Sequence, residues 1–202
     1  HHIFKDEFSL TPVTCSPELS PHKTLYEAVN TSNNKKYFLL KADSQFATDE
    51  QKYLFIKHAE KASELIHPVI LPLLGFSDSS PDLYFEYYPG ISPISEQIEN
   101  LDDTWIQNII LGIISGLSYL ISKGFSLSKF SLDTIFFSPE SGPKFINYVN
   151  PNSLEMDYSL NQLIEKCDEK VLVLQVGQIM CELYNRRCKK EGENDVQIPD
   201  GL

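Results

Sequence analysis

Polar and apolar positions divide the chain's first half into short runs. Thr24 to Asn30 and Lys36 to Ala42 read as two strands flanking Asn33-Asn34. Asparagine tolerates positive backbone angles, so this spacing predicts a β-hairpin. From Thr48 the period changes: a T-x-x-Q capping box (Thr48, Gln51) precedes Phe55, Ala59, Ala62 and Ile66 at spacings of four, three and four. That is one stripe of an amphipathic helix ending near His67-Pro68. Val69 to Phe76 and Leu83 to Tyr88 read as two further strands, separated by the turn-forming Asp78-Ser79-Ser80-Pro81-Asp82. Residues 1–23 are rich in Pro and Ser without a sustained period, which predicts an extended lead-in.

Pro89-Gly90 marks a boundary, after which the pattern is mainly helical. A second T-x-x-Q box (Thr104, Gln107) opens a helix over Thr104 to Lys123, and Gly124 follows as a left-handed cap residue. Trp105, Ile106, Ile109, Ile110, Ile113, Ile114, Leu117 and Leu120 surround most of its axis, so it is expected as a central buried helix. Ile135 to Phe137 and Lys144 to Tyr148 predict a second hairpin, and about Val171 to Arg187 a last helix, again apolar on most faces.

With 202 residues, 42% of them hydrophobic, the chain has enough apolar material for one packed domain or two small lobes sharing a cleft. Lys plus Arg number 17 against 28 for Asp plus Glu, a net charge of −11. That charge argues against nucleic acid or an anionic membrane as partner. The longest apolar stretch, Ile109 to Ile121, is broken by Gly112, Ser115, Gly116, Ser118 and Tyr119, so no membrane-spanning helix is expected. Cys15, Cys167, Cys181 and Cys188 form no CxxC pair and have no His at zinc-finger spacing, which predicts reduced thiols in the cytoplasm and no metal. The sequon Asn30-Thr31-Ser32 is too common a tripeptide to overturn that expectation.

Several short stretches, arriving in one order, resemble the protein kinase-like superfamily. Phe38-Leu39-Leu40-Lys41 resembles its third-strand VAIK motif. His67-Pro68-Val69-Ile70-Leu71-Pro72-Leu73-Leu74-Gly75-Phe76 resembles the fourth-strand entry of its tyrosine-kinase-like branch. Leu83-Tyr84-Phe85-Glu86-Tyr87-Tyr88-Pro89-Gly90 looks like its hinge, and Gly116 to Phe125 like the end of the helix leading into its catalytic loop. The resemblance implies an α+β, two-lobed kinase-like fold: an extended lead-in (1–23), an N-lobe of antiparallel sheet plus one long helix (24–88), a hinge (89–90), and a mainly helical C-lobe (91–202). Because Val196 to Leu202 resembles the segment before the family's last helices, that C-lobe is expected to be truncated or reduced.

The family's catalytic positions are degenerate. Phosphoryl transfer there needs a Gly-rich loop, a Lys held by a helix Glu, a catalytic-loop Asp, and Asn and Asp ligands for magnesium. The three glycine positions fall on Glu18, Ser20 and Lys23, and the helix Glu position falls on His58. Leu127-Ser128-Lys129 stands where His-Arg-Asp would be, Thr134 where the Asn would be, and Asn147-Tyr148-Val149 where DFG would be. A protonated Lys129 has no lone pair to accept a proton, and a neutral amide at Asn147 is a poor magnesium ligand. Leu172 replaces the Asp that anchors the catalytic loop, and 150–170 lacks Ala-Pro-Glu. Lys41 is the one catalytic residue retained, read either as a residual nucleotide contact or as an ordinary strand lysine. Period two places Leu39 on its face, and Leu39 with Phe85, at the gatekeeper position, is expected to block the adenine space.

The resemblance thus implies an inactive pseudokinase domain that binds no cofactor and acts as a scaffold or regulatory module. Its partner would be another protein or another segment of a larger one. The alternatives are a weak atypical kinase or other nucleotide-dependent transferase, supported by Lys41 with Glu60, Asp133 and Asp157, or a nucleotide sensor without chemistry. The last helix, with Val171, Leu172, Val173, Leu174, Val176, Ile179, Met180 and Leu183, is expected to carry more apolar surface than the chain buries by itself.

Overall fold

The structure, a computed structural model, describes residues 2–5, 7–13, 19, 23–127, 129–149 and 169–194. Its first part is a six-stranded sheet and one long helix: β1 (His2–Ile3), β2 (Phe8–Pro12), β3 (Lys23–Asn30), β4 (Lys36–Ala42), α1 (Asp49–Ser63), β5 (Leu73–Phe76) and β6 (Leu83–Glu86). The strand order is β1-β5-β6-β4-β3-β2; five strands are antiparallel, and β1 joins the edge beside β5 in parallel. The expected lead-in therefore supplies two strands. Its alternation is visible only in the paired state, where Phe8 and Leu10 turn to an aromatic cluster and Ser9 and Thr11 to solvent.

The β3–β4 hairpin turns where the asparagines predict, with Asn34 at φ 58°. Thr48 caps α1 by accepting the Gln51 amide at 3.1 Å, a cap contributing about 1 kcal/mol. The helix ends at Ser63, earlier than its apolar stripe suggested, and Ile66 lies in the following loop, 84% exposed.

The second part begins with β7 (Ser92–Pro93), α2 (Ile94–Gln97) and a short 3-10 turn (Ile98–Asn100). Then come α3 (Asp103–Ser122), β8 (Ser126–Leu127), β9 (Ile135–Ser138), β10 (Gly142–Phe145), β11 (Tyr148–Val149) and α4 (Glu169–Asn194). Asp102, not Thr104, caps α3, accepting the Trp105 amide at 2.8 Å. Gly124 adopts the left-handed conformation expected of it, φ 75°.

Only one side of α3 is core. Ile106, Ile109, Ile110, Ile113, Gly116, Leu117 and Leu120 are buried, while Leu111 is 66% exposed and shares the outer side with Gln107, Ser115 and Ser118. The central-helix expectation overstated its burial. Among the described residues α3 is the one helix long and apolar enough to cross a membrane, its best window having a mean hydropathy of 1.4. Here its apolar side packs on β8, β10 and α4.

The packing sorts the sheet's two faces. Leu25, Phe38, Leu40, Leu83 and Phe85 join Ala59 and Ala62 of α1 and the buried side of α3 in one continuous core. On the opposite face Ala28, Tyr37, Leu39 and Tyr84 form a separate cluster, covered by Phe4 and Phe8. Phe4 stacks on Tyr84 with ring centroids 4.5 Å apart.

Candidate functional site

Of the residues expected to carry or block chemistry, Phe85, Thr134 and Asn147 lie buried where the sheet faces the 126–149 segment. Leu19 comes first, because its side chain is fully buried in the main core there. Its carbonyl accepts from Asn147 Nδ2 at 3.1 Å, and the Lys129 carbonyl accepts the second Nδ2 hydrogen at 2.8 Å. Both amide hydrogens of Asn147 are therefore committed to backbone oxygens, one on either side of it. Among the described residues, Asn147 Oδ1 and, in β8, Ser126 Oγ are buried without a hydrogen-bond partner, each costing about 1–3 kcal/mol.

Thr134 is buried and internally occupied. Its hydroxyl accepts the Ser131 amide at 3.0 Å and lies 3.1 Å from both the Lys129 and Ser131 carbonyls, which share its single proton. Lys129 reaches this knot through its backbone, while its side chain belongs to an exposed residue. Of these three residues, Asn147 and Thr134 thus act as structural hydrogen-bonding groups and Lys129 is a surface lysine.

The structure separates Lys41, Leu39 and Phe85. Leu39 and Lys41 share one face of β4, as the period of two requires, but that face points away from α1 and the main core. Lys41 is exposed opposite Thr24, and Leu39 is packed between Tyr26 and Tyr84. Phe85, paired with Phe38, lies on the inner face, edge-on to Tyr148 at 5.8 Å. Leu39 and Phe85 therefore do not plug one pocket, and Lys41 does not reach the space beneath the sheet. The four-letter match of Phe38 to Lys41 carried no information about which parity faces inward. Neighbouring strands decided it.

Lys23 takes the inner position instead. It lies opposite Ala42, half-buried, with Nζ 5.8 Å from the Phe55 ring centroid. Burial lowers its pKa to about 8, against the raising effect of Asp82. Asp82 is itself held by the Ala42 amide at 2.8 Å and Ser80 Oγ at 2.7 Å. His58, at the position a helix Glu would hold, is buried at 5.8 Å from the Phe125 ring, and burial, then Lys23 and Lys61, push its pKa down to about 3. A neutral imidazole thus stands near the inner cation, where ion-pair chemistry would require a carboxylate. Tyr148 completes the floor, its hydroxyl donating to the Leu71 carbonyl at 2.7 Å.

Sequence reasoning passed over Leu19, because one apolar residue in a Pro/Ser-rich run has no period to announce it. Glu18, Ser20, Asp157, Cys15, Cys167 and residues 150–168 lie outside the described residues, as do the side chains of Val171, Leu172 and Cys188. Glu60 and Asp133 are exposed. The sequon is spent on local structure: Asn30 is buried, and its Oδ1 accepts the Ser32 amide, Ser32 Oγ and the Asn33 amide. No group of three or more His, Cys, Asp or Glu side chains among the described residues converges to hold a metal ion. Comparison with protein-family models and with curated proteins finds no match for this chain.

Proposed function

We propose that the chain is a two-lobed, protein kinase-like domain that binds protein partners in the cytoplasm without transferring phosphate. The order of elements supports the fold: an antiparallel sheet with one long helix, a short connector at Pro89-Gly90, then a mainly helical part carrying a three-stranded and a two-stranded antiparallel sheet. One observation carries the functional reading. Leu19, from the loop that joins the first strands of the antiparallel sheet, is buried in the core and tied down by Asn147. In a kinase-like fold that loop lies over a nucleotide; here part of it fills the space with hydrocarbon.

The surrounding chemistry supports the same reading. The Asn147 amide hydrogens are spent on two carbonyls, the Thr134 hydroxyl on the loop's own backbone, and Lys41 is outside. A magnesium ion bound by hard oxygen ligands would find no carboxylate at these positions. With chemistry removed, the use left to such a fold is to present surface.

Thermal unfolding with ATP, with and without magnesium or manganese, tests this directly. A ligand at a hundred times its Kd stabilises the folded state by about 2.7 kcal/mol, which is easily read as a shift in Tm. No shift is expected at millimolar ATP. A metal-independent shift would instead identify a nucleotide sensor, and a metal-dependent one an enzyme.

A further inference from the structure

Lys23 occupies an unusual place for an amine. At the start of β3 it faces α1, where the Phe55 ring centroid lies 5.8 Å from its Nζ and His58 and Lys61 follow at three-residue steps. A buried lysine ordinarily pairs with a carboxylate. Lys23 does not: among the described residues no carboxylate comes within ion-pair distance of its Nζ. Asp82, whose charge favours the ammonium, is held by the Ala42 amide and Ser80 Oγ. From α1 the facing groups give no help, Lys61 being cationic and His58 neutral. Burial therefore outweighs Asp82 and brings the Lys23 pKa to about 8.

Lys144 shows the contrast. Burial lowers its pKa as well, but it is only 6% exposed, its Nζ donates to the Pro68 carbonyl, and the Tyr88 ring centroid lies 4.8 Å away. That amine is engaged and covered. Lys23 is half-buried, with a ring beside its Nζ and no acceptor for it among the described residues.

A desolvated lysine near another cation is the condition under which an amine becomes a nucleophile at neutral pH. We propose that Lys23 is an acylation site, its Nζ accepting small acyl groups such as acetyl from thioesters. The lone pair of the neutral amine attacks the thioester carbonyl carbon and forms the C–N bond. The C–S bond breaks, the sulfur leaves as thiolate, and the surplus amine proton passes to it or to solvent. The product is a neutral amide, which suits this position better than the ammonium it replaces. This chemistry is independent of whether the fold is kinase-like.

The full chain is incubated with acetyl-coenzyme A at about pH 7.5, and acetylation of each lysine is followed by peptide mass spectrometry. At that pH about a quarter of Lys23 side chains are neutral, against about a thousandth for an ordinary lysine. Allowing for the lower nucleophilicity of a weaker base, Lys23 should react about ten times faster than exposed Lys41, and covered Lys144 more slowly than Lys23. The Lys23 rate should level off above about pH 8. In urea the preference should vanish, because the fold sets it, and Lys23→Arg should remove the fast site without changing the rates at the other lysines. A Lys23 no faster than Lys41, a Lys23 rate still climbing at about pH 10, or a preference that persists in urea would each overturn the proposal.

Discussion

Gly116 in α3 and Gly177 in α4 sit within the two longest helices, and only the first has a neighbour. A Cβ at Gly116 would lie 2.7 Å from the Phe145 ring and 2.8 Å from a Val69 methyl. Both are buried side chains with little freedom to retreat. At Gly177 the same atom would stand in open space. The difference extends to the regions around them. Beneath the sheet the chain fills its own space, with Leu19 in the core, both amide hydrogens of Asn147 used, and Tyr148 tied to the Leu71 carbonyl. The outer face of α4 instead leaves Val173, Leu174, Met180 and Tyr184 exposed, interspersed with Gln178, Glu182 and Arg186.

The largest way to break this contrast is Asn147→Asp, which puts a carboxylate where the amide stands. The variant would set a carboxylate against the Leu19 and Lys129 carbonyls and remove both donors. Stability should fall by about 3–5 kcal/mol, the range for a buried charge left without a partner, with no gain of magnesium binding. Urea denaturation measures the first and calorimetric titration the second; a stable, magnesium-binding Asn147→Asp protein would mean the space is not closed.

Acid should loosen the closed region as well. The pKa of His58 in the folded chain, about 3, lies below its ordinary 6.5, so the unfolded chain takes up the proton first. Its contribution is intact above about pH 6.5 and is lost as pH falls toward 3, by about 1.4 kcal/mol per unit, or about 2 kcal/mol at pH 5. His67 acts in the same direction, because burial and then the Lys144 charge lower its pKa. His58→Gln should flatten the slope of stability against pH by one proton; an unchanged slope would place the acid sensitivity elsewhere.

The smallest effects are the sharpest comparison, since one substitution should have opposite signs at two sites. Gly116→Ala should lose about 1–2 kcal/mol, overpacking against Phe145 and Val69 outweighing the gain in helix propensity. Gly177→Ala should gain about 0.5–1 kcal/mol. Thermal denaturation at low concentration reads both, and equal signs would erase the distinction drawn between the helices.

Much of the secondary structure was legible from local signals. Thr48 with Gln51, Asn33-Asn34 and Gly124 each carry their instruction in one or two residues, because caps and turns depend on side-chain hydrogen bonds and backbone angles within a few positions. Strand limits were less legible. Of Val69 to Phe76 only Leu73–Phe76 pairs as a strand, since a hydrophobic run does not say where its neighbour stops. The candidate site was legible as a set of positions and illegible as an arrangement: Lys129, Thr134 and Asn147 lie along one knot of hydrogen bonds, whereas Lys41 and Leu39 lie on the wrong face for it.

By itself, then, the sequence determined the α+β order of elements and the ends marked by caps and turns. Only the tertiary structure decided which strand parity turns inward, that Lys23 and not Lys41 faces the core, that Leu19 closes the space beneath the sheet, and which face of α4 stays open. The physical reason is one of range. Capping and turn preferences act over three or four residues, whereas burial is fixed by what arrives from elsewhere in the chain: Leu19 meets Asn147 across 128 positions, and no local pattern in either segment records that meeting.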